Sequence, residues 1–166
     1  MSIGTYDYDG LCEAFINQSQ SCGKTAEDRM SFNRLSIYSY NSLLATLDPT
    51  NNVLLVYSDT ANYSNTSKRH TRFLHEAAKE LIIFSIIDGE FIDQIQEYHD
   101  SILNNLKFFK RARVKAPYFK TKVLEEFQEV KQYIQYIKLD KRTKEYKYCT
   151  SLIESIFAIL LENKLL

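Results

Sequence analysis

The sequence predicts an α+β fold: a small antiparallel three-stranded sheet with an N-terminal helix, followed by a mostly α-helical C-terminal half of about four helices. Three observations carry this expectation. Two-residue alternation is confined to positions 35–57, apolar residues recur at three- and four-residue spacing from Leu74 to Leu160, and composition changes between residues 66 and 67. Three of the four Gly and most Ser and Asn precede that point, whereas Lys, Glu, Ile, Leu and Phe dominate after it. The chain therefore divides into an α+β region, 1–66, and a helical region, 67–166, packed as one domain or as two small ones.

Each element follows from a local pattern. Asp9 can cap a short helix running to about Gln20, with Leu11, Phe15 and Ile16 on its apolar face. Leu35, Ile37 and Ser39 alternate with polar or aromatic neighbours as a first strand. Leu43–Leu47 and Val53–Tyr57 form the second and third, with Asp48-Pro-Thr-Asn-Asn52 as the turn between them. Thr66 and Ser67 then precede a long helical pattern, Leu74, Ala77, Ala78, Leu81, Ile82 and Ser85, which ends before Asp88-Gly89. A second helix carries Phe91, Ile95, Tyr98, Ile102, Leu106 and Phe109, and reaches about Arg111 before Pro117 interrupts. The third shows a coiled-coil-like seam of Phe119, Val123, Phe127, Val130, Ile134 and Ile137, and the fourth carries Cys149, Ile153, Ile156 and Leu160. The seam also permits a homodimer.

Several function classes are excluded on composition and spacing. The first fifteen residues carry Asp7, Asp9 and Glu13 where a secretory signal carries Lys or Arg. The longest apolar runs, Leu81–Ile87 and Ile156–Leu161, fall well short of the ~20 residues that span a bilayer. Three cysteines, Cys12, Cys22 and Cys149, fit neither a zinc spacing nor a disulfide framework, which places the chain in a reducing cytosol. His70 and His75 are five apart and diverge by about 140° on a helix, so they do not chelate one metal. His75-Glu76 is followed by Lys79 where a zinc protease motif needs its second histidine. Exposed or capping histidines are the expectation. Gly23-Lys24-Thr25 lacks the first glycine of a phosphate loop, because position 18 is Gln. Cys149 lies on an apolar stripe, and acidic Asp9 and Glu13 beside Cys12 raise rather than lower a thiol pKa. No cofactor is implied and no enzyme activity is expected.

Charge is distributed unevenly. A formal net charge of zero hides 7 Lys and Arg against 14 Asp and Glu in residues 1–100. Residues 101–122 carry Lys107, Lys110, Arg111, Arg113, Lys115, Lys120 and Lys122 with no acid. Phe108, Phe109, Tyr118 and Phe119 interleave with these cations. That mixture holds phosphates and stacks bases, docks an acidic protein surface, or pairs with the acidic first half of the chain. Tyrosine is the other outlier, with 12 copies and no Trp. Tyr38 and Tyr40, two apart on a predicted strand, point to one face, and so do Tyr6 and Tyr8 if that segment is extended.

Two segments, Ile37-Tyr38-Ser39-Tyr40-Asn41-Ser42-Leu43-Leu44-Ala45 and Tyr63-Ser64-Asn65-Thr66-Ser67-Lys68-Arg69-His70, resemble a small family of proteins encoded by bacterial viruses. Its members show an LYSYG-x-x-IA strand and a YS-x-TTSKH helix start. Asn41 stands where that pattern has glycine, and Arg69 intervenes before His70. Physically, Ser64, Thr66 and Ser67 offer hydroxyls to the free N–H groups of a helix starting near Lys68, and Tyr38 and Tyr63 pack the sheet against it. The resemblance implies a small phage protein of the host cytosol. Such proteins often inhibit host defence, anti-CRISPR proteins among them. The expectation is thus a non-enzymatic inhibitor of a host protein such as a Cas effector; the alternative is a nucleic-acid-binding accessory or regulatory protein using residues 107–122.

Overall fold

In the computed structural model, which describes residues 4–87, 91–112, 114–138 and 141–166, the first apolar surface is that of helix α1 (Tyr8–Ile16). Its N-cap is Asp7, whose carboxylate accepts from the Gly10 N–H at 2.9 Å. Asp9, the expected cap, lies inside the first turn, where a carboxylate still favours the helix dipole. The helix stops at Ile16, short of Gln20, because Gln18 turns the chain with a φ of 51°. Leu11, Cys12, Ala14 and Phe15 are buried.

The α+β class holds, but the three-stranded sheet does not. Among the described residues seven strands form one mixed sheet in sequential order: β1 (Gly4–Tyr6), β2 (Cys22–Thr25), β3 (Met30–Asn33), β4 (Ser36–Ser39), β5 (Ser42–Asp48), β6 (Val53–Tyr57) and β7 (Ile82–Ile86). Strands β4 to β6 are the three that alternation predicts. The β2–β6 segment is an antiparallel meander, whereas β1 pairs with β2 and β6 with β7 in parallel. Parallel neighbours need a crossover. Helix α1 supplies it at one end, and α2 (Ser58–Asn62) with α3 (Asn65–Ala77) at the other. Helices α1 and α3 pack on each other. A single core joins Leu11 and Phe15 of α1, Leu74 of α3, and Met30, Phe32, Ile37, Leu47, Leu54 and Val56 of the sheet.

Strand β7 overturns the long helix expected through Ser85. Helix α3 ends at Ala77, and Leu81–Ile87 is a short apolar run whose side chains satisfy a strand as readily as a helix. Its β-branched residues and its parallel partner β6 decide the outcome, with Phe84 and Ile86 buried. In β2, Gly23 allows close packing. A Cβ there would stand 2.7 Å from the Phe32 ring and 2.8 Å from the Tyr6 ring.

The chain divides into two compact units, Met1–Asp88 and Gly89–Leu166. Composition changes earlier, at 66/67, because α3 and β7 complete the first unit. The expected helix end at Asp88-Gly89 lies outside the described residues. The second unit contains α4 (Phe91–Arg111), α5 (Ala116–Ile137) and α6 (Lys144–Glu162). Six helices are therefore present among the described residues, three of them in this unit.

Helix α5 starts with Pro117 in its first turn, where a missing N–H costs nothing, and ends at Lys138 in the left-handed region. Thr143 caps α6 through the Tyr146 N–H. Ile95, Tyr98, Ile102 and Leu106 of α4 are buried, as are Val123, Phe127 and Val130 of α5 and Cys149, Ile156 and Leu160 of α6. The centre of the Phe119–Ile137 seam is thus buried within the chain itself. A polar seam ties α4 to α5. Tyr98 Oη donates to Glu129 at 2.6 Å, Ser101 Oγ to Glu126 at 2.9 Å, and Asn105 Nδ2 to both Glu126 oxygens at 3.1 and 3.0 Å. No helix among the described residues is long and apolar enough to cross a membrane.

Candidate functional site

Two places collect the residues singled out from the sequence, one in each unit. In the second unit, the end of α4 and the start of α5 form a hairpin tip. Lys107, Lys110, Arg111, Lys115 and Lys120 are exposed there, and Lys122 is half-buried. Arg113 lies outside the described residues. Phe108 stacks on Phe119 across the hairpin at 5.4 Å between ring centroids, and Tyr118 meets the Phe119 ring edge-on at 5.3 Å. This aromatic clasp pulls Phe119 inward while leaving Phe108 46%, Tyr118 61% and Val114 89% exposed.

The placement of the cations separates structural from functional use. Lys110 and Arg111 occupy the last turn of α4, where a positive charge favours the helix dipole. Lys115 is the N-cap of α5, where the dipole opposes it, Lys120 follows just past the first turn, and no acid offsets them in that turn. Among the described residues none of these cations forms an ion pair, whereas Lys24–Asp28, Arg29–Glu27 and Arg72–Glu76 pair elsewhere. Helix stability therefore does not account for the cations at the start of α5.

In the first unit, the two segments that carry the phage-protein resemblance converge. Ser39, Tyr40 and Ser42 at the β4–β5 turn, Asp59 and Thr60 of α2, and Tyr63, Ser64 and Ser67 at the start of α3 line a cavity of about 420 Å³. Ser64 is the N-cap of α3: its Oγ accepts from the Ser67 N–H at 3.1 Å and lies 3.1 Å from the Ser67 hydroxyl. The helix thus starts at Asn65, earlier than Lys68, and Thr66 and Ser67 sit inside its first turn. Tyr63 does not pack the sheet against the helix, because it is 89% exposed. Tyr38 is half-buried in β4, but Tyr40 has left the strand with a φ of 54°, so the two do not share a strand face. Tyr6 lies in β1 whereas Tyr8 opens α1.

His70 is neither exposed nor capping. It is wholly buried behind the cavity, with Nδ1 2.9 Å from Ser39 Oγ, the Tyr8 ring stacked on it at 5.1 Å and Tyr40 tilted at 6.2 Å. Burial lowers its pKa below 6.5, and the Arg69 and Arg29 guanidinium groups push it further the same way. The imidazole is neutral at pH 7, and its Nε2 has no hydrogen-bond partner among the described residues. Asp59 and Thr60 of α2 had no signal in the sequence, and Ser39 and Ser42 none beyond the strand and the motif that contain them.

No group of His, Cys, Asp and Glu suited to a metal occurs among the described residues. All three cysteines are free. The Cys12 thiol is pushed up to about 12 by burial first and then by Asp9 and Glu13, so it is no thiolate at neutral pH.

Fold and sites together define a two-unit α+β protein with a basic, partly apolar hairpin tip and a hydroxyl-rich cavity. No family model matches the chain, and neither a curated protein nor a solved structure does.

Proposed function

We propose that the chain is a non-enzymatic binding protein whose α4–α5 hairpin tip docks onto an acidic, partly apolar surface of a partner protein. The observation that carries this is the tip itself: Lys115 stands where the helix dipole opposes it, with the exposed Lys120 just past the first turn, beside Val114 at 89% and Tyr118 at 61% exposure. An exposed aliphatic side chain gains from a protein surface and gains little from a phosphate backbone, so it favours protein over nucleic acid. The resemblance to phage-encoded proteins supports a host defence protein as the partner class, a CRISPR–Cas effector being one such target.

The test compares tagged wild-type chain with a triple variant, Lys107→Glu, Lys115→Glu and Lys120→Glu, and with Lys147→Glu on α6 as a control. Each is incubated with lysate of a bacterial host, untreated and nuclease-treated. A protein retained by the wild type and the control, and lost by the triple variant, is the expected result. Retention that the wild type and the control show only in untreated lysate points to nucleic acid at residues 107–122 and overturns the reading.

A further inference from the structure

The cavity of the first unit has a chemistry of its own, independent of the hairpin tip. Its volume, about 420 Å³, falls in the ~300–1,000 Å³ range of small-molecule sites. Five aliphatic hydroxyls line it, each able both to donate and to accept, together with one carboxylate, Asp59, and two tyrosines. No Lys, Arg or His is among the lining residues. An anionic ligand would meet Asp59 without a compensating side-chain cation. An ammonium ligand would use Asp59 and the rings but leave the hydroxyl hydrogens without acceptors.

A ligand that itself carries several hydroxyl groups matches the set. The rim has the complementary feature, an aromatic wall. Tyr63 is 89% and Tyr40 49% exposed, offering ring faces to an apolar C–H surface. Tyr40 is the one aromatic among the described non-glycine residues with positive φ. A bulky side chain in the left-handed region is strained where Asn or Gly would not be. The Tyr40 N–H holds it there by donating to the Arg29 carbonyl at 2.7 Å. Behind the rim, Ser39 is fixed by His70 at 2.9 Å, so this wall of the cavity is preorganised before any ligand enters.

We propose that this cavity binds a neutral sugar ring, with the Asp59 carboxylate accepting from vicinal ring hydroxyls, Ser42, Thr60 and Ser64 hydrogen-bonding the remaining hydroxyls, and Tyr63 covering the ring's C–H face. The site recognises the ring and its hydroxyl pattern; no cationic side chain lines it to offset the charge of a phosphate or a carboxylate.

The experiment is an amide chemical-shift titration of the full chain with the methyl glycosides of glucose, galactose and mannose, with inorganic phosphate and tetramethylammonium as contrasting probes. Saturable shifts confined to residues 39–42 and 59–67 with at least one glycoside, and with neither contrasting probe, are expected. Asp59→Asn and Tyr63→Ala alter exposed side chains and should keep the wild-type thermal midpoint. Each should weaken glycoside binding about tenfold. No saturable shift with any glycoside, the same shifts produced by phosphate or tetramethylammonium instead, or unaltered binding in both variants each overturns the proposal. Hairpin docking is read by other residues with other probes, so either result leaves it standing or falling on its own test.

Discussion

Glu126→Ala tests the architecture that presents the hairpin tip. The Glu126 carboxylate joins α5 to α4 by accepting from Ser101 at 2.9 Å and from Asn105 at 3.1 and 3.0 Å. Ser101 is half-buried and can turn to water, so its loss costs little. Asn105 is only 7% exposed, and its amide would be left without the charged acceptor. An unsatisfied buried donor costs about 1–3 kcal/mol, with bonds to charged groups at the upper end, so the expected loss is about 2 kcal/mol. At a urea m-value of about 2 kcal/mol/M, the midpoint falls by about 1 M. Glu126→Gln keeps an oxygen for Asn105 and should lose about half as much. Urea titration followed by far-ultraviolet circular dichroism reads both variants. An Ala variant with the wild-type midpoint, or a Gln variant as damaged as the Ala variant, refutes the claim that this seam holds the hairpin.

Further outcomes follow from the first unit. His70 has a lowered pKa in the folded chain, so the unfolded chain binds its proton more readily. Its contribution to stability is complete above pH ~6.5 and is lost as pH falls below that value, with a slope of at most about 1.4 kcal/mol per pH unit. The thermal midpoint of the wild type should therefore drop more steeply on acidification than that of His70→Gln; parallel pH profiles would contradict this. In the native chain at mildly alkaline pH, an aromatic disulfide reagent should modify Cys22 alone, because Cys12 and Cys149 are buried and the Cys12 thiol is pushed up to about 12. Cys22→Ser should abolish the reaction. Gly23→Ala forces a Cβ to within 2.7 Å of the buried Phe32 ring and should destabilise the sheet by about 1–3 kcal/mol, measured by thermal unfolding.

The parts of the fold legible in the sequence are those with a clean period. Strands β4, β5 and β6 alternate, and α4 and α5 repeat at three to four residues over about five turns and α6 over about three, so both kinds of element stand out. Strands β1, β2 and β3 do not, because three or four residues such as Cys22-Gly23-Lys24-Thr25 are too short and too polar to show alternation. They exist because a sheet edge is available to them. Strand β7 was hidden differently: Leu81 and Ile82 sit in register with Leu74 and Ala78, so the helical period runs straight through a strand. Its pairing with β6 is a tertiary fact.

The sites divide in the same way. The basic tip is visible in the sequence because its cations form one acid-free run, and the hairpin only decides which of them face outward. The cavity is invisible because its hydroxyls come from β4–β5, α2 and α3, and hydroxyl residues at those spacings read as turns and caps. Ser64 does serve as a cap, and the same residue lines the cavity. His70 shows the limit most clearly: nothing local to Arg69-His70-Thr71 indicates that Ser39, 31 residues earlier, will be its partner.

Hydrogen exchange, read by mass spectrometry on the full chain alone and with the partner retained from lysate, tests the central claim most directly. Docking through the tip predicts slowed exchange concentrated in residues 107–122, with the sheet of the first unit unchanged. Protection confined to other segments, with residues 107–122 exchanging as they do in the free chain, would contradict it.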